Sequence, residues 1–444
     1  MARYARIKNT GKPKVVIIGG GFAGLELVKS LGHADVQVIL IDKQNYHTFQ
    51  PLMYQVATAA IDAESIMHPF RKVFEDQQNF FFRLAEVECV NTQEQLVETN
   101  IGLIRYDYLV IATGATTNYF GDKQMEQNAL SMKSVEDANC LRNTILGNFE
   151  NSLQLDDHEQ LNSLMDYVIV GGGPTGVELA GALSELRKHV FPKDYPELDF
   201  KSMDIHLIQS GGELLKGMSK EASLKSQQFL EEMGVQIWLN RRVKSYDGYT
   251  VTLDNGETLI SRTLIWAAGV TGNPVQGLKP ESLLKGNRLQ VDAYNRVVGY
   301  ENVFAIGDIA AMVTPENQQG HPMLAQPAMQ QGELLGKNLV RLFKGETLQP
   351  FVYKDQGSMA TIGRNKAVAD LKLFKKELKS QGFFAWLIWM FIHLVSIIGF
   401  RNRLAVMTNW CWNYFTYNSG NRLIVGKKQE NIPITETISH KAVI

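Results

Sequence analysis

The chain has 444 residues, and its 45 Lys and Arg against 46 Asp and Glu leave a formal net charge of −1 at pH 7. That balance gives no electrostatic reason to bind nucleic acid, while the length allows two or three domains around a large core. Cys89, Cys140 and Cys411 are far apart and form no C-x-x-C, which argues against a disulfide framework or a zinc cluster, and no metal site is expected.

The opening MARYARIKNT carries charge without an apolar core, so no secretory signal is expected. Next comes KVVIIGGGFAGLEL, Lys14 to Leu27, a β-branched run that ends in G-x-G-x-x-G and passes into a helical pattern. This is the context a dinucleotide fingerprint needs. Gly19 allows the tight turn, Gly21 lets backbone amides approach a pyrophosphate, and Gly24 lets the helix pack on the sheet. The following strand, VQVILID, ends in Asp42, about 20 residues past the glycines, where an acceptor for a ribose hydroxyl is expected. FFFRLAEVECV and LIRYDYLVIATG read as a β-meander returning to a parallel sheet. Asn139 to Asp166 reads as a polar connector compatible with helix.

The second half repeats the scheme. YVIVGGGPTGVELA, Tyr167 to Ala180, gives Gly171, Gly173 and Gly176 the same three tasks, and TLIWAAGV, Thr263 to Val270, answers YLVIATGA, Tyr108 to Ala115. One such turn has a bland reading in packing alone; two in matching contexts argue for two dinucleotide sites in tandem. In DIHLIQSGG, Gln209 stands where an acidic residue would favour the ribose of NADH; a neutral glutamine repels a 2′-phosphate less, which weakens the preference, but no arginine beside it in sequence would attract one, so NADH is still expected over NADPH. VQIWLNRRVKSYDGYTVTLDNGETL repeats the meander, with Asp254-Asn255-Gly256 as a hairpin turn.

NVFAIGDIA, Asn302 to Ala310, ends an apolar strand in Gly-Asp. Asp308 either caps the next helix or accepts from the ribityl chain of a flavin; the glycine turns and Ala112-Thr113-Gly114 favour the flavin. Here the chain resembles the two-dinucleotide-binding flavoproteins, a superfamily of disulfide, ferredoxin and quinone reductases. NYHTFQPLMYQVATA, Asn45 to Ala59, lacks the cysteine pair of a disulfide reductase. It resembles instead the N-Y-H-x-F-x-P-L-x-Y-Q-V-A-T segment of type II NADH dehydrogenases, and GGGPTGVELAGAL and AQPAMQQG are similar to that family too.

Phe383 to Phe400, FFAWLIWMFIHLVSIIGF, carries no formal charge and as one helix would be about 27 Å long, just under a bilayer core. It could span, lie in the interface or pack in a protein groove. Arg401 and Arg403 follow, then LAVMTNWCWNYFTY, with Leu404, Met407, Cys411 and Phe415 at helical spacing opposite Asn409 and Asn413. A monotopic anchor of two helices is expected, as the resemblance implies, with a buried dimer seam as the bland alternative.

The resemblance implies an α/β fold of two tandem Rossmann-like domains, glutathione-reductase-like, with a C-terminal amphipathic membrane-anchoring helical region. Its boundaries would be 12–124 and 288–348 for FAD, 125–287 for NADH and 349–444 for the membrane. It implies non-covalent FAD, NADH oxidation without proton pumping, and a membrane quinone, ubiquinone or menaquinone, as acceptor. It further implies a peripheral place on the cytoplasmic face of the inner membrane and a homodimer. Besides the motif residues it carries Phe22, Ala23, Lys43, Gln55, Ala112, Thr113, Gly114, Thr175, Gly269, Gly307, Asp308 and Ala325 to cofactor binding. Glu178, Gln326 and Gln330 are implied at the nicotinamide and quinone region. Neutral amides at i and i+4 share one helix face and can bond a quinone carbonyl without placing charge in an apolar cleft. A sulfide:quinone oxidoreductase and a redox-sensing flavoprotein are the rival readings; the first would need cysteines near the flavin and no second nucleotide turn.

Overall fold

A computed structural model describes residues 3–315, 317–373, 376–417 and 420–426. The expected anchoring region, 349–444, therefore lies partly outside the described residues, at 374–375, 418–419 and 427–444.

Two five-stranded parallel sheets dominate. In the first, the order is Val303–Ala305, Tyr108–Ile111, Lys14–Ile18, Gln37–Asp42 and Phe80–Leu84. In the second it is Leu130–Ser131, Thr263–Trp266, Tyr167–Val170, Ile205–Gln209 and Gln236–Leu239. The orders match position for position, so the repeat seen in the sequence is a repeat of topology. Each central strand is buried throughout or nearly so, as a sheet covered on both faces requires.

The meanders begin later than the sequence suggested. Phe80–Leu84 and Gln236–Leu239 extend the parallel sheets, and only Val87–Asn91, Leu96–Thr99 and Gly102–Arg105, with their counterparts Val243–Tyr246, Thr250–Leu253 and Thr258–Ile260, form antiparallel sheets. Asp254-Asn255-Gly256 does turn the second meander, with Gly256 at φ 88°. The polar connector is helical over Val135–Ser152 and His158–Met165, each with a side-chain N-cap, Ser134 and Asp157. Two short strands, Ala115–Thr117 and Val270–Gly272, pair antiparallel and tie the two units together.

The C-terminal region holds a sheet that the sequence reading lacked and the two helices that it expected. A three-stranded antiparallel sheet, Gly357–Gly363, Lys366–Leu373 and Lys376–Gln381, precedes the helices. The apolar run then breaks into Phe383–Ser396 and Phe400–Thr416. Gly399 makes the break: it has φ 84°, and a Cβ there would stand 2.7 Å from the His68 ring. The first helix is thus only about 21 Å long, and among the described residues no helix is long and apolar enough to cross a membrane.

Trp389 and Val406 of these helices, with Ile397 between the two, share one core with Leu52, Met53 and Val56 and with Val177, Leu179 and Ile362. The helices are therefore built into the body of the protein by their inner face.

Candidate functional site

Each glycine turn has the geometry of a phosphate cradle. Gly19 and Gly171 have φ of 101° and 115°, and a Cβ on either would run into the carbonyl of Ala112 or Ala267 on the neighbouring strand end. On Gly24 or Gly176 a Cβ would overlap the carbonyl oxygen of Gly19 or Gly171, so helix and strand could not close. Gly21 and Gly173 differ. A Cβ there would meet nothing within 4 Å, and each N-caps a helix, Phe22–Ser30 or Pro174–His189, that has no side-chain cap bond. Open space at an uncapped helix N-terminus is what a pyrophosphate requires; the residues present fit two dinucleotides.

Asp42 and Gln209 are equivalent in space. Asp42 Oδ2 accepts from the Gly20 amide at 2.6 Å, and Gln209 Oε1 accepts from the Gly172 amide at 3.0 Å. Burial pushes the Asp42 carboxyl up, against the amides of Gln44 and Gly20. Phe22 and Ala23 lie in the first turn of the helix after Gly21, and Thr175 in the first turn after Gly173. Lys43 follows Asp42 at the strand end. Thr113 Oγ1 donates to the Asn273 carbonyl at 2.6 Å, and the Gly114 carbonyl accepts from the Asn273 amide, so this segment also touches the second unit.

Asp308 caps no helix: the helix that follows is Ala325–Phe343, with Leu324 at its N-cap. The carboxyl is buried, which raises its pKa against the charges of Lys133, 3.9 Å away, and Arg288. Gly307 packs beside Ala23 and Ala328, and its amide donates to Gln331 Oε1 at 2.7 Å. Gln331, which the sequence did not single out, thereby fixes Gly307-Asp308 against the Ala325 helix.

Gln326 and Gln330 both face the segment before the C-terminal sheet. Gln326 Nε2 donates to the Gly357 carbonyl at 2.9 Å, and its Oε1 accepts from the Gln356 amide at 3.2 Å. Gln330 exchanges two bonds with the Lys354 backbone, 2.9 and 3.0 Å. The two glutamines come together, as their spacing predicts, on backbone groups of 354–357.

Glu178 lies elsewhere, in the wall of a cavity of about 210 Å³. Its other walls come from the segment Tyr54–Ala60, from strand Gly357–Gly363 and from both terminal helices. The helix Pro174–His189 therefore starts at a nucleotide turn and carries Glu178, Ala182 and Leu186 past the cavity. Burial raises the Glu178 pKa to about 8, with the Thr361 amide, 3.4 Å away, and the Trp389 indole pulling the other way. Beside it, Trp410 Nε1 donates to Gln55 Oε1 at 2.7 Å and Gln55 Nε2 donates to the Tyr54 hydroxyl at 2.9 Å. Gln55 is thus a cavity residue. Tyr54, Trp389 and Trp410 complete the wall; their sequence signal, scattered aromatics, is that of any core.

The outer face of the terminal helices is apolar. Phe384 and Phe415 are 72% and 82% exposed, and Phe391, Phe400, Leu404 and Trp412 are exposed beside them. The polar face turns inward, where Asn402, Asn409 and Asn413 bond Met67 O, Asp62 Oδ1 and Ala60 O. A patch of this kind on a folded protein marks a membrane or protein contact.

Among known families, residues 13–332 match the pyridine nucleotide-disulphide oxidoreductases and residues 356–417 match the NDH2 C-terminal domain. A type II NADH:quinone oxidoreductase of Mycobacterium tuberculosis is 35% identical over 417 residues, 90% of this chain and 87% of that protein. The fold is similar to that of NDH2 from Plasmodium falciparum solved in complex with NADH, with a TM-score of 0.85 at 21% identity over 94% of this chain and 100% of that one. A sulfide:quinone oxidoreductase from Aquifex aeolicus is less similar, with a TM-score of 0.69 at 19% identity over 92% of each chain. Two glycine turns, an apolar cavity and a C-terminal sheet-and-helix unit thus have a common source: the chain belongs to the type II NADH:quinone oxidoreductases, within the pyridine nucleotide-disulphide oxidoreductase family.

Proposed function

We propose that this protein oxidises NADH and reduces a membrane quinone by two electrons, using non-covalent FAD, as NADH + H⁺ + quinone → NAD⁺ + quinol. One observation carries the reading: a single helix, Pro174–His189, connects the second nucleotide turn to Glu178 in an apolar cavity. When bound, FAD would supply the redox chemistry between NADH and quinone, chemistry that belongs to the cofactor. The first unit, 12–124 with 288–348, would hold it through Gly19, Gly21, Gly24, Asp42 and Asp308. The second, 125–287, would hold NADH through Gly171, Gly173, Gly176 and Gln209. Binding geometry rather than a dedicated acid or base serves hydride transfer.

In the cavity the Glu178 carboxyl, with a pKa of about 8, is largely protonated at neutral pH and can give a proton to a quinone oxygen. Gln326 and Gln330 sit on the acceptor side in this reading, on the helix whose Gln331 bonds Gly307, and their hold on 354–357 makes them positioning groups for the start of the C-terminal sheet. The region 349–444 would rest on the cytoplasmic face of the inner membrane through its exposed aromatic face, in a homodimer, with quinone entering from the lipid. In this scheme the electrons and protons end on the quinol and no ion is translocated.

The test is NADH oxidation by the flavin-loaded protein in lipid vesicles with ubiquinone and menaquinone. Rapid flavin bleaching by NADH, followed by reoxidation with at least one quinone, is expected. Bleaching by sulfide but not NADH would overturn the reading in favour of a sulfide:quinone oxidoreductase. Flavin reduction without turnover on any quinone would favour a redox sensor.

A further inference from the structure

We propose that Phe120 is a positioning residue for the nicotinamide nucleotide, its ring closing as a flat lid over the dinucleotide on the second glycine turn. The proposal rests on the NADH reading above. Phe120 is 70% exposed and has a φ of 54°. A bulky side chain avoids that backbone region, and such strain kept under a largely exposed ring points to a ligand.

The strain is held in place by a small hydrogen-bonded frame. The Phe120 amide donates to Asn118 Oδ1 at 2.8 Å, the Asn118 amide donates to the Gly269 carbonyl at 3.2 Å, and Trp266 Nε1 donates to the Asn118 carbonyl at 2.9 Å. The ring meets Trp266 edge-on, with centroids 6.3 Å apart and planes at 65°. This contact fixes one edge of the ring and leaves much of its surface to solvent.

Its location gives the ring a partner. Trp266 ends a strand of the second parallel sheet, and Ala267–Gly269 leaves the carboxyl end of that sheet, where nucleotides bind in folds of this topology. At one end of this short stretch the Ala267 carbonyl oxygen closes on the glycine turn, 2.5 Å from where a Cβ on Gly171 would stand. At the other, Gly269 passes against Phe120: a Cβ there would be 3.2 Å from Phe120 Cζ, and φ is 130°. The three residues therefore connect the phosphate cradle to the aromatic ring. A nucleotide seated on the cradle presents flat rings, adenine and nicotinamide, and an aromatic face stacks on either. Because Ala115–Thr117 pairs with Val270–Gly272 just beside this frame, the lid is anchored where the two units join.

The experiment uses the full-length, flavin-loaded protein with Phe120→Ala, Phe120→Leu and Phe120→Tyr. Stopped-flow flavin reduction is measured against NADH concentration, and quinone reoxidation is measured after chemical reduction. Expected is a rise of about tenfold in half-saturating NADH for the Ala and Leu variants, with Tyr close to the parent. The limiting rate should move by less than about threefold, and quinone reoxidation should not change. Unchanged half-saturation in Ala overturns the proposal, and so does full rescue by Leu, which restores bulk without a π-face. If the Ala variant loses flavin, the Leu variant decides. Parent protein whose flavin NADH does not bleach refutes the NADH reading itself, a result distinct from any ranking of the Phe120 variants.

Discussion

At the residue scale, Gly21 and Gly173 separate the two nucleotide functions, because each lies over open space while its motif neighbours are locked by packing. Gly21→Val should therefore fold and lose FAD. Gly173→Val should fold and keep FAD, but raise the NADH requirement by at least about tenfold, while dithionite-reduced protein still reacts with quinone. Flavin absorbance and stopped-flow traces distinguish these outcomes. Gly24→Ala should instead destabilise the whole unit by about 2–4 kcal/mol, since its Cβ would strike the Gly19 carbonyl; a denaturant midpoint equal to the parent's would contradict this. Gln209 mirrors Asp42 in accepting from a motif amide. Gln209→Glu retains an acceptor and adds charge, so the kcat/KM ratio of NADH over NADPH should rise by about tenfold. The two turns and the matching places of Asp42 and Gln209 were legible in the sequence because a motif fixes backbone geometry locally. Gln331 was not, since nothing local tells which of Gln326, Gln330 and Gln331 meets Gly307.

Glu178 carries a prediction about pH at the same scale. Its native pKa is about 8, above the usual 4.5. Between those values the native protein binds a proton that the unfolded chain has released, so this group's contribution to stability falls as pH rises from about 4.5 and levels off above about 8. Glu178→Gln removes that loss, and relative to the parent the variant should gain roughly 1–3 kcal/mol at pH 8 compared with pH 5. Thermal melts across this range check the sign; a parallel pH dependence for both proteins would show that Glu178 ionises normally. Sequence placed Glu178 early on a helix. Its burial depends on Tyr54, Thr361 and Trp389, from segments far apart in the chain.

At the level of elements, the terminal helices are the instructive case. Hydropathy reads Phe383 to Phe400 as one run, but Gly399 must approach His68 closely and the run breaks there. The inner face supplies Trp389 and Val406 to the core, so deleting the helices would open the cavity as well as remove an anchor. Charging the outer face is the cleaner perturbation. Phe384→Lys with Phe415→Lys should lower vesicle binding about tenfold or more while NADH still bleaches the flavin at the parental rate. Co-sedimentation with vesicles measures it, and undiminished binding would refute an anchoring role for this face. The C-terminal sheet escaped notice although K-A-V-A-D-L-K-L alternates as a strand should, because its register and pairing depend on the turn at Arg364-Asn365 and on packing against the helix Pro174–His189.

For the whole molecule, the proposed reaction joins a nucleotide site and an apolar cavity that no single segment contains. Protein reconstituted in sealed vesicles should oxidise NADH with quinone at a rate that an uncoupler leaves unchanged, and with no membrane potential reported by a dye. A rate that rises with uncoupler would mean charge movement and contradict the scheme. The sequence by itself determined the two nucleotide turns, their repetition in tandem and the family, because glycine spacing and β-branched runs act through local backbone sterics and survive without knowledge of contacts. Only the tertiary structure decided the cavity, the raised pKa of Glu178, the inward face of the terminal helices and the pairing of Gln326 and Gln330 with 354–357. Burial and desolvation are properties of groups brought together from distant parts of the chain, and they come into being only when the chain has folded.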